Sequence, residues 1–442
     1  MDLGWLLGRA RTSFHHAAST VSLPTVKGSK TTLDAICKSV TPTCNLNPLL
    51  FNGHLQTAWT VIKSAGPPIV YKRRIFHATD PNFAGTFAVD FVTDAAPSEP
   101  DNTLPPRTTY YTEDEFANIG SDDTKPMLIS LHGLSGGSHE IYLRHVLAPL
   151  VAQDSPNGGW EALVVNSRGC AMSEITTGIL YNARATWDMR QVVKWCREKF
   201  PNRPLYAIGY SLGANILTNY LGEEGESCEL QAAVVCSNPW KLEVSSLALQ
   251  RTWLGLNVYS KAMGSNMKKL IERHKDQVMK NGNIDLERVM KINYLHEFDR
   301  EIQCPTWGYP TEGAYYRDAS SADALLGVKI PLFAIHAQDD PIAVDEAVPY
   351  EEFKVNPYTV LCATSMGGHL SWFEIGGGRW FARPATAFLQ KMASEVKSRK
   401  VDEKNVSSGL AAKASDASGF QSPFSFEPTR RKMRVPSTQT YG

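Results

Sequence analysis

Two stretches of the sequence set a serine between glycines at the spacing Gly-x-Ser-x-Gly: GYSLG at 209–213 and GLSGG at 133–137. A serine hydroxyl is a weak nucleophile until a neighbouring base takes its proton, and an imidazole backed by a carboxylate is the usual way to supply one. Both partners occur downstream, Asp339 and Asp340 in FAIHAQDDPIAV and His369 in SMGGHLSWF. Together these side chains could carry acyl transfer through a covalent serine ester. The glycine–serine pattern arises too readily by chance to decide between Ser211 and Ser135, so the choice falls to the elements around them.

Those elements alternate. Buried apolar strands are expected at 127–133, 161–169, 204–211 and 230–239, with helices at 140–153, 185–200 and 214–224 between them. The rhythm stops for about ninety mainly helical residues and resumes with strands at 330–341 and 358–369, while 68–76 and 85–94 alternate with period two, as an antiparallel start to the sheet would. The pattern predicts an α/β protein of the α/β-hydrolase fold: a mostly parallel, eight-stranded sheet with helices on both faces and an inserted helical cap. The expected divisions are an N-terminal extension (1–40), a core in two parts (41–240 and 329–396), the cap (241–328) and a Ser-rich disordered tail (397–442).

In this fold the nucleophile follows the third parallel strand, and the loop after the first supplies an oxyanion-binding amide. Ser211 lies on the third unit and Ser135 on the first, which makes Ser211 the expected nucleophile. Gly209 and Gly213 then allow the tight turn, and the amides of Leu134 and Leu212 are the expected oxyanion hole. His369, reached through Gly367 and Gly368, is the expected base. Asp340, just before Pro341 and Ile342, is preferred to Asp339 as its carboxylate, with the other aspartate capping a loop. His132 is expected to brace the oxyanion loop, Arg168 to form an ion pair in a turn, Trp187 and Asp188 to support the elbow, and GGGR (376–379) to be a turn, since it lacks the strand and helix a phosphate loop needs.

Bulk properties exclude several classes. Forty-five basic residues balance 45 acidic ones, which gives no electrostatic footprint for nucleic acid. Eight scattered cysteines without a C-x-x-C pair fit reduced thiols in an intracellular protein, cytoplasmic or lipid-surface associated, and imply neither disulfides nor a metal. The N-terminal MDLGWLLGRARTSFHH is too short in its apolar part to cross a membrane; a locally packed helix is the preferred reading, with weak membrane or lipid-surface contact as the alternative.

Six motifs, NGHLQTAW (52–59), LHGLSGGSHEIYLRH (131–145), VNSRGCAMSE (165–174), GYSLGANIL (209–217), HAQDDPI (336–342) and GGHLSWFE (367–374), give residues 40–392 a resemblance to the medium-chain fatty acid ethyl ester synthase/esterase branch of the α/β-hydrolases. The resemblance implies a serine esterase or alcohol O-acyltransferase with Ser211, Asp340 and His369 as its triad, no metal or organic cofactor, and acyl esters, acyl-CoA or alcohols as substrates. A thioesterase or tailoring hydrolase of specialised metabolism is the alternative reading, and a lipid-binding module with a vestigial triad is the alternative of another class.

Overall fold

The computed structural model describes residues 8–63, 65–94, 101–153, 159–280, 284–399 and 426–429. Its main sheet holds ten strands among the described residues. In spatial order they are Thr12–His15, Thr359–Thr364, Leu332–Ala337, Leu230–Cys236, Leu205–Tyr210, Met127–Leu131, Glu161–Val165, Thr86–Thr93, Val70–His77 and Thr108–Tyr110. The six from Thr359–Thr364 to Glu161–Val165 run parallel, and antiparallel strands flank them on both sides.

The parallel strands read as continuous apolar runs because both of their faces are covered. Leu128, Tyr206 and Ile208 face the helices Leu33–Val40, Ile141–Val151 and Ala382–Glu395. The alternate residues Ile129, Leu163 and Ala207 face Thr186–Lys199 and Leu212–Glu224. Each large aliphatic side chain so buried contributes about 1.5–3 kcal/mol, which makes this sandwich the rigid part of the molecule.

The sheet has two strands more than the eight expected. Thr108–Tyr110 is only three residues long and pairs at one edge. Thr12–His15 closes the other edge by pairing with Leu361–Thr364, yet its four residues hold one large apolar side chain, Phe14, which packs against the core, too few for an alternation to show. The expected N-terminal helix is therefore replaced, over residues 8–16, by two short strands, and residues 1–7 lie outside the described residues. Residues 9–40, read as an extension, supply that strand and a helix whose Leu33 and Ile36 enter the core. Of the expected tail, residues 397–399 dock on the sheet, where the Arg399 amide donates to Gln231 (2.6 Å), and the Thr429 carbonyl accepts from Arg184; the remainder lies outside the described residues.

Between Leu230–Cys236 and Leu332–Ala337 the chain forms short helices, two of them π-helical: Gly255–Ser260 and Asp299–Gln303. These pack through Met267, Ile271, Val289 and Ile302 against Leu180, Tyr181 and Ile216 of the core. All eight cysteines are buried free thiols. Among the described residues no helix is long and apolar enough to cross a membrane.

Candidate active site

Ser211 stands where the strand Leu205–Tyr210 meets the helix Leu212–Glu224, at φ 51° and ψ −117°, a strained conformation for a residue with a side chain. The turn survives because its neighbours lack side chains. A Cβ on Gly209 would lie 2.5 Å from the Gly213 carbonyl oxygen, and one on Gly213 would lie 2.3 Å from that of Leu131. Sequence and geometry thus meet at the glycines: only they let strand, turn and loop approach so closely.

The strand ends bring the expected partners to this serine. His369 Nε2 is 2.8 Å from Ser211 Oγ, and Nδ1 is 2.8 and 3.1 Å from the two oxygens of Asp340. With Nδ1 donating to the carboxylate, Nε2 is the acceptor for the serine proton. Asp340 is 3% exposed. Burial pushes its carboxyl up, but His369, His336 and the Ile342 amide outweigh this and hold it below the usual aspartate value. Such a series can activate a serine and stabilise the imidazolium that forms.

Asp339 does something else. Its Oδ1 accepts from the Gly368 amide (3.0 Å), tying the loop that carries His369, and burial pushes its carboxyl up to about 6. Ser135, the rival serine, also has φ 53°; its amide donates to the Tyr181 hydroxyl at 3.3 Å, and no imidazole hydrogen-bonds its hydroxyl among the described residues. Its loop packs on the elbow, where a Cβ added to Gly133 would sit 3.4 Å from Ser211 Cβ. The Leu134 and Leu212 amides have no acceptor among the described residues, and both residues line the cavity that contains Ser211. Leu212 opens a 13-residue helix, so its amide adds the helix's positive end to any oxyanion there.

His132 braces the loop that carries Leu134. It accepts from the Ser167 amide at Nε2 (3.0 Å) and donates from Nδ1 to the Gly133 carbonyl (2.6 Å), while burial lowers its pKa to about 4 and keeps it neutral. Arg168 makes a two-pronged ion pair with Asp188 and donates to the Phe83 and Ala84 carbonyls; Trp187 stacks on Phe83 at 4.1 Å. GGGR forms a turn in which the Glu374 amide reaches the Gly378 carbonyl.

Sequence reasoning assigned no role to the helix Gly53–Ile62, although NGHLQTAW was a motif of the resemblance. Asn52 caps it, Thr57 Oγ1 accepts from the His369 amide (2.9 Å), and buried Gln56 accepts from the Phe373 amide (2.7 Å). Gly53 passes so close to the acid loop that a Cβ there would be 1.8 Å from the Asp339 carbonyl oxygen. The signal available was the cluster of small and amide-bearing residues, whose partners lie more than 300 residues away.

From Ser211 a cavity of about 720 Å³, counting its open mouth, runs beneath the cap between Leu242, Leu249, Met263, Met267 and Leu295. Among the described residues no group of three or more His, Cys, Asp or Glu is placed to hold a metal ion.

A strained strand-to-helix serine, an imidazole in line and an apolar cavity define a site built for acyl-group chemistry. The sequence comparisons agree. Residues 126–374 match the family described as the alpha/beta hydrolase fold. The chain is 38% identical over 387 residues to the monoacylglycerol lipase of Saccharomyces cerevisiae, covering 82% of this chain and 84% of that one. It is 30% identical over 392 residues to the medium-chain fatty acid ethyl ester synthase/esterase 2 of the same yeast (78% and 85%), and 29% identical over 340 residues to human phospholipase ABHD3 (76% and 75%). The chain belongs to the α/β-hydrolase family and is a hydrolase of that type.

Proposed function

We propose that this enzyme is a serine esterase of the lipase kind, acting on medium-chain acyl esters through an acyl-enzyme on Ser211. His369 takes the serine proton as Oγ attacks the ester carbonyl and returns it to the departing alcohol. Asp340 orients the ring, and the Leu134 and Leu212 amides receive the oxyanion. Water, activated in turn by His369, then releases the acid. The observation that carries this reading is the unbroken hydrogen-bonded series from Ser211 through His369 to Asp340, opening into the apolar cavity. The names of the yeast and human relatives support acyl esters as the substrate class.

An alcohol can replace water in the second step, with acyl-CoA as an alternative donor. The apolar lining favours this, since a dry pocket disfavours water as acceptor. Purified enzyme given a chromogenic octanoate ester and a fluorophosphonate probe tests the esterase; hydrolysis and covalent labelling are expected, and failure of both removes the reading. Octanoyl-CoA with increasing ethanol tests transfer. Ethyl octanoate should form in proportion to ethanol while thioester consumption stays constant, whereas free octanoate alone leaves an esterase without synthase activity.

A further inference from the structure

The helix Gly53–Ile62 is amphipathic with its faces reversed. Inward it turns Gln56, Thr57 and Thr60, whose side chains hydrogen-bond the Phe373 amide, the His369 amide and the Ser371 hydroxyl. Outward it shows Leu55, Val61 and Ile62, the last two 88% and 67% exposed, and the turn before it adds exposed Leu49 and Phe51. A helix on a water-facing surface ordinarily buries its apolar side. The loop that carries His369 accounts for the polar inner face; among the described residues no part of the chain covers the apolar outer one.

The cap continues this surface. His54 Nδ1 lies 2.9 Å from the Tyr259 hydroxyl and the two rings stack at 5.7 Å, which joins the helix to the π-helical Gly255–Ser260. Beside that junction Trp253, 72% exposed, Leu254 and Val258 face outward. Leu249 and Met263, on either side of them in the chain, line the cavity of Ser211, so the same part of the cap is apolar towards the cavity and apolar towards the outside. Contiguous exposed apolar surface of this kind marks a place of attachment.

Charge says to what. Residues 47–66 and 244–271 hold Lys63, Arg251, Lys261, Lys268 and Lys269 and no acidic residue, in a chain whose 45 basic and 45 acidic residues balance overall. None of these five is ion-paired among the described residues. A second copy of the chain would bring like charges together. A lipid leaflet with anionic headgroups offers opposite charge and an apolar interior at once, and tryptophan settles at such a boundary. We infer that the helix Gly53–Ile62 and the segment from Trp253 to Lys261 form one face that docks on an anionic phospholipid leaflet. The inference stands apart from the esterase reading, because binding is measured without turnover.

Co-sedimentation of the full chain with vesicles of phosphatidylcholine, alone or mixed with about one-third phosphatidylserine, tests it. The chain should bind the anionic vesicles on the order of tenfold more tightly, and raising salt to about 0.5 M should release most of it. Val61→Ser combined with Ile62→Ser, and separately Trp253→Ser, should each weaken partitioning on the order of tenfold while the far-ultraviolet circular dichroism stays unchanged. The two lie on different elements, so either tests the face if the other fails to fold. Undiminished partitioning of the folded variants overturns the inference, as does equal binding to the two kinds of vesicle. A dimer in analytical ultracentrifugation that Trp253→Ser dissociates overturns it too, and gives the face to a second copy. Vesicle binding by a chain that hydrolyses no ester would remove the esterase reading and leave this one standing.

Discussion

The loops at the carboxyl ends of the strands and the helical cap meet at one cavity but are built differently. In the loops, each reacting group sits one to five residues past a strand: Ser211 after Tyr210, Asp340 after Ala337, His369 after Thr364. Backbone contacts fix each one, through the glycines around the elbow and the amides of Ile342 and Gly368. In the cap, the cavity is lined by side chains from short helices, with two π-helical segments and, among the described residues, no strand. On the proposed mechanism the chemistry is held by main chain and selectivity by side chains, so substitutions in the two regions should fail in different ways.

The largest expected effect is at the elbow. Ser211→Ala should abolish hydrolysis of an octanoate ester, on the order of a millionfold, and abolish fluorophosphonate labelling. Ser135→Ala should leave a measurable rate; labelling lost with Ser135→Ala and kept with Ser211→Ala would exchange their roles. Next come the aspartates. Asp340→Asn should lower kcat on the order of ten-thousandfold by leaving the imidazole in the wrong tautomer, while Asp339→Asn, which keeps an acceptor for the Gly368 amide, should cost far less. Equal losses would show that both carboxylates serve the ring.

Thr57→Val deprives the His369 amide of its acceptor without touching the ring. It should lower kcat about tenfold with little change in KM, and Thr57→Ser should restore it, a rescue that mere loss of packing would not show. The cap should respond in specificity rather than rate. Leu249→Trp, which narrows the cavity, should shift the octanoate-to-butanoate ratio of kcat/KM about fivefold towards the short ester. A collapse on both esters would mean that the cap also positions the reacting groups.

The smallest effect is on stability. Burial raises the Asp339 pKa from 3.8 to about 6, so the folded chain holds a proton there that the unfolded chain has released. This group's contribution is present below about pH 4 and lost as pH rises through 6. Asp339→Asn removes that dependence, and its Tm relative to wild type should improve by about 1–2 °C between pH 4 and pH 7, as differential scanning fluorimetry would measure.

The same contrast explains what was legible in the sequence. The meeting of Ser211, Asp340 and His369 was legible because each follows a strand written as an apolar run, in the order this fold requires. Thr12–His15 was missed because an edge strand carries no alternation, and Thr57 because its function is a hydrogen bond to a residue 312 positions away. Asp299 and Gln303 carried no signal of their own in the sequence; only the packing of the helices above the sheet brings them to the cavity.

The tie between Thr57 and His369 bears on when the enzyme becomes reactive. A ribosome delivers residue 57 first, then the serine, and the imidazole 158 positions after the serine. On the proposed mechanism, Ser211 has no base until the final strand has paired and its loop has settled on the early helix. Reactivity towards esters on that mechanism therefore arrives only with the completed sheet.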